Sequence, residues 1–330
     1  MITVRRVRPD DPDAHRLWKA QERDLAERYD EPDLVLETEF PTLVGSWVGY
    51  AVDGTAVASV VARWSPYRET RPGDVEVKRV WVDPAHRGHG HARVMMGVVQ
   101  TAAARAGATR LILETGTGQP EAMALYEALG WSSMDNYGEY QDEPESRCYA
   151  LPLRTRVLIV NGTMGSGKTT IAAAVHGLLQ QRGAHSAYVD ADFLCEAQPA
   201  PAHDPFNQGL LFDNLASIAP HYRSRGYGCM IIPRVIEDAE DRDRYARAFA
   251  SPEAGPAEVV VVRVDAPEQV RLDRLSAREP EGYWQEFSHA RTVALDAVLQ
   301  ALDLDDAVVD NAGDRDRLVV AAEVLDRAGW

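Results

Sequence analysis

Gly162-Thr163-Met164-Gly165-Ser166-Gly167-Lys168-Thr169 is the stretch on which the reading of this 330-residue chain turns. It has the form G-x-x-x-x-G-K-T. The apolar, β-branched run Arg156-Val157-Leu158-Ile159-Val160-Asn161 precedes it, and an Ala/Leu-rich segment from Thr170 to Gln181 follows, stopping near Gly183. A strand therefore feeds the loop and the loop opens a helix, which is the context a phosphate-binding loop requires. Gly162, Gly165 and Gly167 let the backbone curl. The amides of Met164 to Thr170, Ser166 among them, can then face a polyphosphate while Lys168 neutralises its β and γ oxygens and the Thr169 hydroxyl is placed to ligate Mg²⁺. Lys168 is also the only lysine beyond the midpoint. A nucleoside triphosphate is the expected ligand.

Working outward, the length suits two domains, each with its own core, and the loop near the middle indicates the division: 1–153 and 154–330. No apolar run is long enough for a membrane span, and Met1-Ile2-Thr3-Val4 starts directly as strand-like sequence without a signal peptide. Cys148, Cys195 and Cys229 are an odd number without C-x-x-C spacing, so neither a disulfide framework nor a thiolate zinc site is expected. A cytoplasmic location fits. The formal charge of −16 argues against nucleic acid, whose phosphates need a basic footprint, and favours a small cationic or polyhydroxylated partner. Oligomeric state is open, a homodimer included.

In the first half, residues 2–8 read as a strand, and Asp10-Asp11-Pro12-Asp13 starts a helix to about Tyr29. Leu43–Val52 and Thr55–Trp64 alternate around Asp53-Gly54, a hairpin signal. Another strand, Glu76 to Pro84, meets Ala85-His86-Arg87-Gly88-His89-Gly90-His91-Ala92 and a helix to about Ala106. The three histidines suggest a metal, but no carboxylate or cysteine completes a site and a backbone-binding turn is the better reading.

The pattern R-x-x-G-x-A after a V-x-V-x-P strand resembles the acyl-coenzyme A signature of the GCN5-related N-acetyltransferase (GNAT) family. Leu111-Ile112-Leu113-Glu114-Thr115 resembles that family's next strand, and Glu121 to Trp131 its closing helix. The resemblance covers about 1–153 and implies a mixed, mostly antiparallel sheet. It also implies that the turn amides from Arg87 through Gly88, His89, Gly90 and His91 to Ala92 hold the pyrophosphate of acetyl-CoA. Pantetheine would pair with freed backbone around Val80 to Val82, Tyr126 would protonate the departing thiolate, and Glu76, eleven residues before Arg87, would deprotonate the amine.

In the second half, Ser186 to Phe193 reads as a strand whose carboxyl end brings Asp190 and Asp192 toward the phosphates. One would hold Mg²⁺, with Asp192 preferred as the base for an acceptor hydroxyl. Cys229-Met230-Ile231-Ile232 ends in Pro233-Arg234 without the usual strand-end carboxylate. V-D-x-D at Val189–Asp192, and Pro233-Arg234 followed after seven residues by Arg242-Asp243-Arg244, resemble small P-loop kinases of the adenylylsulfate kinase, gluconate kinase and chloramphenicol phosphotransferase kind, with a parallel sheet. That resemblance gives Arg274 and Arg278 to the transferring phosphoryl group and Asp310 with Asn311 to adenine. His203–Gln208 and Gly282–His289 lack clear periodicity and suit acceptor loops.

The chain thus reads as α/β throughout, an acetyl-CoA-dependent N-acetyltransferase followed by an ATP-dependent small-molecule kinase. Both halves could act on one amine- and hydroxyl-bearing compound such as an antibiotic or its intermediate, since the join is short and both halves are acidic. Two rivals are an acetyltransferase regulated by nucleotide at a non-catalytic loop and an RNA-modifying acetyltransferase, the latter at odds with the charge.

Overall fold

Side-chain caps and turn residues set the element boundaries in the computed structural model, which describes residues 2–313 and 315–330. β1 (Thr3–Val7) leads to α1 (Pro12–Tyr29), where the Asp11 carboxylate accepts from the amides of Asp13 and Ala14 and Pro12 takes the first turn. β2 (Leu43–Tyr50) and β3 (Ala56–Trp64) close the hairpin, Gly54 taking φ 86°. β4 (Asp74–Val82), α2 (His91–Arg105), β5 (Arg110–Gly116), α3 (Pro120–Ala128), β6 (Ser132–Met134) and β7 (Ser146–Pro152) complete a unit ending at Leu153. Its strands run in the order β1-β2-β3-β4-β5-β7-β6. All pairs are antiparallel except β4–β5. Met95, Met96 and Val99 of α2 pack on one face, and Ala14, Leu17 and Trp18 of α1 on the other.

Two irregularities shape this sheet. β4 pairs with β5 only where Asp74–Glu76 face Arg110–Ile112, although β4 continues to Val82 and β5 to Gly116. The β3–β4 ladder shifts register between Ser59 and Val61, where Arg79 adopts φ 57°, so β4 bulges at the point where it leaves its neighbour. Buried Arg79 anchors the bulge by donating to the Glu37 carbonyl, and its guanidinium lies 5.7 Å over the Trp18 ring. Burial lowers the Arg79 pKa to about 10.

From Arg154 the chain forms a second unit. β8 (Arg156–Asn161), α4 (Lys168–Gln181), β9 (Ser186–Tyr188), α5 (Ala191–Leu194), α6 (Gln208–Ser224), β10 (Cys229–Pro233) and α7 (Asp241–Ala248) come first. β11 (Glu258–Asp265), α8 (Glu268–Arg278), α9 (Tyr283–Leu302), β12 (Ala307–Asp310) and α10 (Arg317–Arg327) follow. The five strands are parallel, in the order β12-β11-β8-β10-β9. Central β8 is apolar at successive positions because both faces are covered. Val157 and Ile159 enter the core shared with α6 and α7, whereas Leu158 and Val160 enter that shared with α4 and α10.

Two expected segments differ. The strand from Ser186 ends at Tyr188, because Asp190 turns to cap α5, its carboxylate accepting from the Asp192 amide. Gly282–His289 is not a loop: α9 starts at Tyr283. Its first turns hide their periodicity because Tyr283 and Trp284 face outward while Ser288 is buried, bonding to Glu279 and to the Trp284 carbonyl. Among the described residues no helix is long and apolar enough to cross a membrane, and the three cysteines are buried and form no disulfide.

Candidate acyl-transfer and phosphate-binding sites

The turn after β4 is built to leave amides exposed. Gly90, at φ 76°, is the N-cap of α2 and supplies no side chain to cap it, and a Cβ there would meet nothing within 4 Å. By contrast, aspartates cap α1, α5 and α10. The first-turn amides of α2 therefore need an external acceptor, and the helix N-terminus favours an anion. A cavity of about 320 Å³ is lined by this turn at Arg87, Gly88, Gly90, His91 and Ala92, by Val80 and Val82 of diverging β4, and by Tyr126 of α3. His89 is absent from the lining. Its ring stacks on His91, and its Nδ1 lies 2.8 Å from the Arg87 carbonyl oxygen. The Arg87 side chain is a brace, donating to the Val82 carbonyl (2.9 Å) and the Asp24 carboxylate (2.5 Å). Burial pushes the Asp24 carboxyl up, but its bonds from Arg87 and Trp81 outweigh this and leave it below the usual range.

Tyr126 is 4 % exposed, between Trp131 and Tyr149, each about 5.9 Å between ring centres. Burial, with the Glu114 carboxylate, raises its pKa, so the phenol stays protonated and able to donate. Glu76 is fully buried in an ion pair with Arg63 (2.8 Å), accepts from Tyr137 (3.2 Å) and lies 3.8 Å from Lys78. It is outside the cavity lining.

Glu114, on β5 beyond its last pairing with β4, was not singled out from the sequence as a site residue. It is half-buried, lies outside the cavity lining as Glu76 does, and accepts from Ser146 (2.7 Å); burial raises its carboxyl above the ordinary range. The signal was a glutamate inside the apolar run Leu111-Ile112-Leu113. Tyr67, Tyr137 and Tyr140 pack together beside Glu76, and Lys78 lies 5.0 Å over the Tyr140 ring.

In the second unit the loop's carbonyls are held so that its amides turn inward. Thr292 of α9 donates to the Met164 carbonyl (2.7 Å), and Asn311 donates to that of Ser166 (2.8 Å). Arg274 donates to the Ser166 (3.3 Å) and Asn311 (2.9 Å) carbonyls. Gly165, at φ 76°, cannot carry a side chain, because a Cβ would stand 2.6 Å from the Arg271 carbonyl oxygen. Gly167 is the N-cap of α4, again without a side-chain cap, leaving the amides of Lys168, Thr169 and Thr170 for a ligand. The Gly162 amide donates to the Asn161 side-chain carbonyl (2.8 Å).

Burial lowers the Lys168 pKa; Asp192 and Asp190 oppose that, while Arg234 and Arg278 reinforce it. Arg278 is largely exposed and pairs with Glu279 (2.5 Å). Asp310 is exposed and caps the Ala312 amide (3.1 Å), whereas Asn311 is buried against the loop. Asp192 is paired with Arg234. For Mg²⁺, the exposed Thr169 hydroxyl at the helix start fits as a donor and Asp192 lies beside Lys168. Among the described residues no three His, Cys, Asp or Glu side chains form a metal cluster.

Two strand–glycine turn–helix sites, one on a mixed sheet and one on a parallel sheet, define an acyl-transferase type of unit followed by a nucleotide-binding one. Comparisons with known proteins agree. Residues 12–131 match the acetyltransferase (GNAT) family and residues 157–284 the CobQ/CobB/MinD/ParA nucleotide-binding domain. An IAA acetyltransferase from Azospirillum brasilense is 35% identical over 85 residues, 26% of this chain; the match spans 56% of that relative's length. A Klebsiella pneumoniae chain provisionally described as an acyl-CoA N-acyltransferase is 28% identical, with 46% of this chain and 98% of that one covered and a TM-score of 0.39. A GNAT-family acetyltransferase from Staphylococcus aureus is 14% identical, with 47% and 100% covered and a TM-score of 0.37. The chain carries an N-terminal GNAT acetyltransferase domain and a C-terminal nucleotide-binding domain of the P-loop type.

Proposed function

We propose that the protein is a bifunctional transferase, an acetyl-CoA-dependent N-acetyltransferase joined to an ATP-dependent phosphotransferase for small molecules. The observation that carries this is the pair of glycine-capped helices with uncapped first-turn amides, each beside groups suited to proton transfer.

In the first unit, the Gly88–Ala92 amides would hold the pyrophosphate of coenzyme A, and the β4 edge at Val80 and Val82 its pantetheine arm. The ammonium gives one proton to Glu114 and the neutral amine attacks the thioester carbon; the C–S bond breaks as the C–N bond forms, Tyr126 protonates the thiolate, and the nitrogen's second proton restores the phenol. Glu76, locked to Arg63 and Tyr137, positions the acceptor end. The carboxylates Glu37, Glu76, Glu114 and Glu139 outnumber the cations Arg63, Lys78 and Arg79 there, which favours a cationic acceptor.

In the second unit the acceptor oxygen bonds to the γ-phosphorus as the bond to the β-phosphate breaks. ADP departs with the electron pair and Asp192 takes the hydroxyl proton. Lys168 and the loop amides stabilise the developing charge, and bound Mg²⁺ would neutralise the phosphate oxygens. The acceptor shared by both units is one compound with an amine and a hydroxyl, of the antibiotic or antibiotic-precursor kind.

Mass spectrometry of a broad panel of amines and alcohols, incubated with acetyl-CoA and ATP, tests the assignment. Acetylated and phosphorylated products are expected. Nucleotide binding that changes acetylation without any phosphorylated product would favour the regulatory alternative, for which the strand-end Arg234 in place of a carboxylate speaks.

A further inference from the structure

β10 lies beside β8 with Pro233 opposite Val160, so residue 234 stands at the mouth of the phosphate loop, its amide bonded to the Val160 carbonyl (3.2 Å). The residue there is an arginine and it is only 9 % exposed. Its Nη1 donates to Asp192, while its Nε is buried without a hydrogen-bond partner. Leaving a buried donor idle is costly, more so on a charged group, and the cost is removed when a ligand accepts the bond. Lys168 and Arg278 lie close by, and the local carboxylates are Asp190 and Asp192. Asp190 already caps α5 and Asp192 is the partner of Arg234 itself. Arg278 is itself paired with Glu279, whereas Arg234 keeps a buried donor unused at this mouth.

We propose that Arg234 is a seat for an oxyanion carried by the phosphotransferase acceptor, a carboxylate, sulfate or phosphate ester, in addition to the hydroxyl that is phosphorylated. This rests on the phosphotransfer reading above and narrows its substrate class to hydroxyl compounds with a negative group. The planar fork suits bidentate capture of such a group. As the anion takes over the guanidinium, Asp192 is released from its ion pair and faces the hydroxyl with both oxygens available. The acceptor thereby assembles its own base.

The test is a calorimetric titration of sulfate into the full chain saturated with Mg²⁺ and the β,γ-imido analogue of ATP, which fills the loop. Sulfate should bind, Arg234→Met should weaken it about tenfold or more, and Arg234→Lys should retain part of the affinity. Analogue affinity should stay within about twofold in both variants. The proposal is overturned if wild type takes no sulfate, if Arg234→Met binds it unchanged, or if that variant loses the analogue as severely as the sulfate, which would put Arg234 on the nucleotide. Failure of wild type to bind the analogue at all would instead bring down the phosphotransfer reading beneath it.

Discussion

Under the proposed acyl transfer, Glu76 and Glu114 are rival acceptors for the proton of an incoming amine, and their surroundings differ. Glu76 is buried and already bonded to Arg63 and Tyr137, so taking a proton there means breaking an ion pair in the interior. Glu114 is half-buried and, among the described residues, free of such an ion pair, and burial raises its carboxyl above the ordinary range, which makes its ionised form the stronger base. Only the ionised form accepts a proton, so kcat/KM should fall as the pH drops through a value above the ordinary carboxylate range. Glu114→Gln should lose about a hundredfold in kcat/KM together with that acid limb; a variant keeping the limb would assign it to another group. Asp192→Asn should retain ATP binding, measured by calorimetry, and lose phosphotransfer by about a hundredfold or more. Full activity in that variant would remove Asp192 from the mechanism.

At the scale of elements, the divergence of β4 from β5 makes the first cavity, and its support lies in the buried Glu76–Arg63 pair directly before the bulge. Removing one partner of such a pair leaves a charge uncompensated in the core. Arg63→Met should therefore lower the stability of the first unit by about 3–5 kcal/mol, read from urea denaturation followed by tryptophan fluorescence. A loss below about 1 kcal/mol would show that the pair behaves like a surface one. Most elements were legible because their apolar period was unbroken: β8 as a continuous run, the hairpin from Asp53-Gly54, α1 from its aspartate cap. The bulge was not legible, because Arg79 carries no mark of its positive φ, which depends on anchoring to the Glu37 carbonyl and Trp18. The start of α9 was hidden by its outward aromatics. Arg274 could be placed on a helix near the nucleotide, but its hold on the Ser166 and Asn311 carbonyls belongs to tertiary structure that no spacing encodes.

Over the whole molecule, net charge is a poor guide to any one site. The chain carries −16, yet Lys168, Arg234 and Arg278 gather at the phosphate loop, while carboxylates gather at the acceptor end of the acetyltransferase unit. Long-range charge governs encounter, whereas local charge governs what is held. The central claim is that two separate anion sites exist, one in each unit, each made by a glycine-capped helix. It is tested most directly by titrating coenzyme A and ATP calorimetrically into wild type, Gly90→Glu and Lys168→Ala. Gly90→Glu puts a side chain and a negative charge where the pyrophosphate would lie, and should abolish coenzyme A binding while leaving ATP affinity unchanged; Lys168→Ala should do the reverse. Coenzyme A affinity unaltered in Gly90→Glu, or both ligands lost together in either variant, would contradict the account.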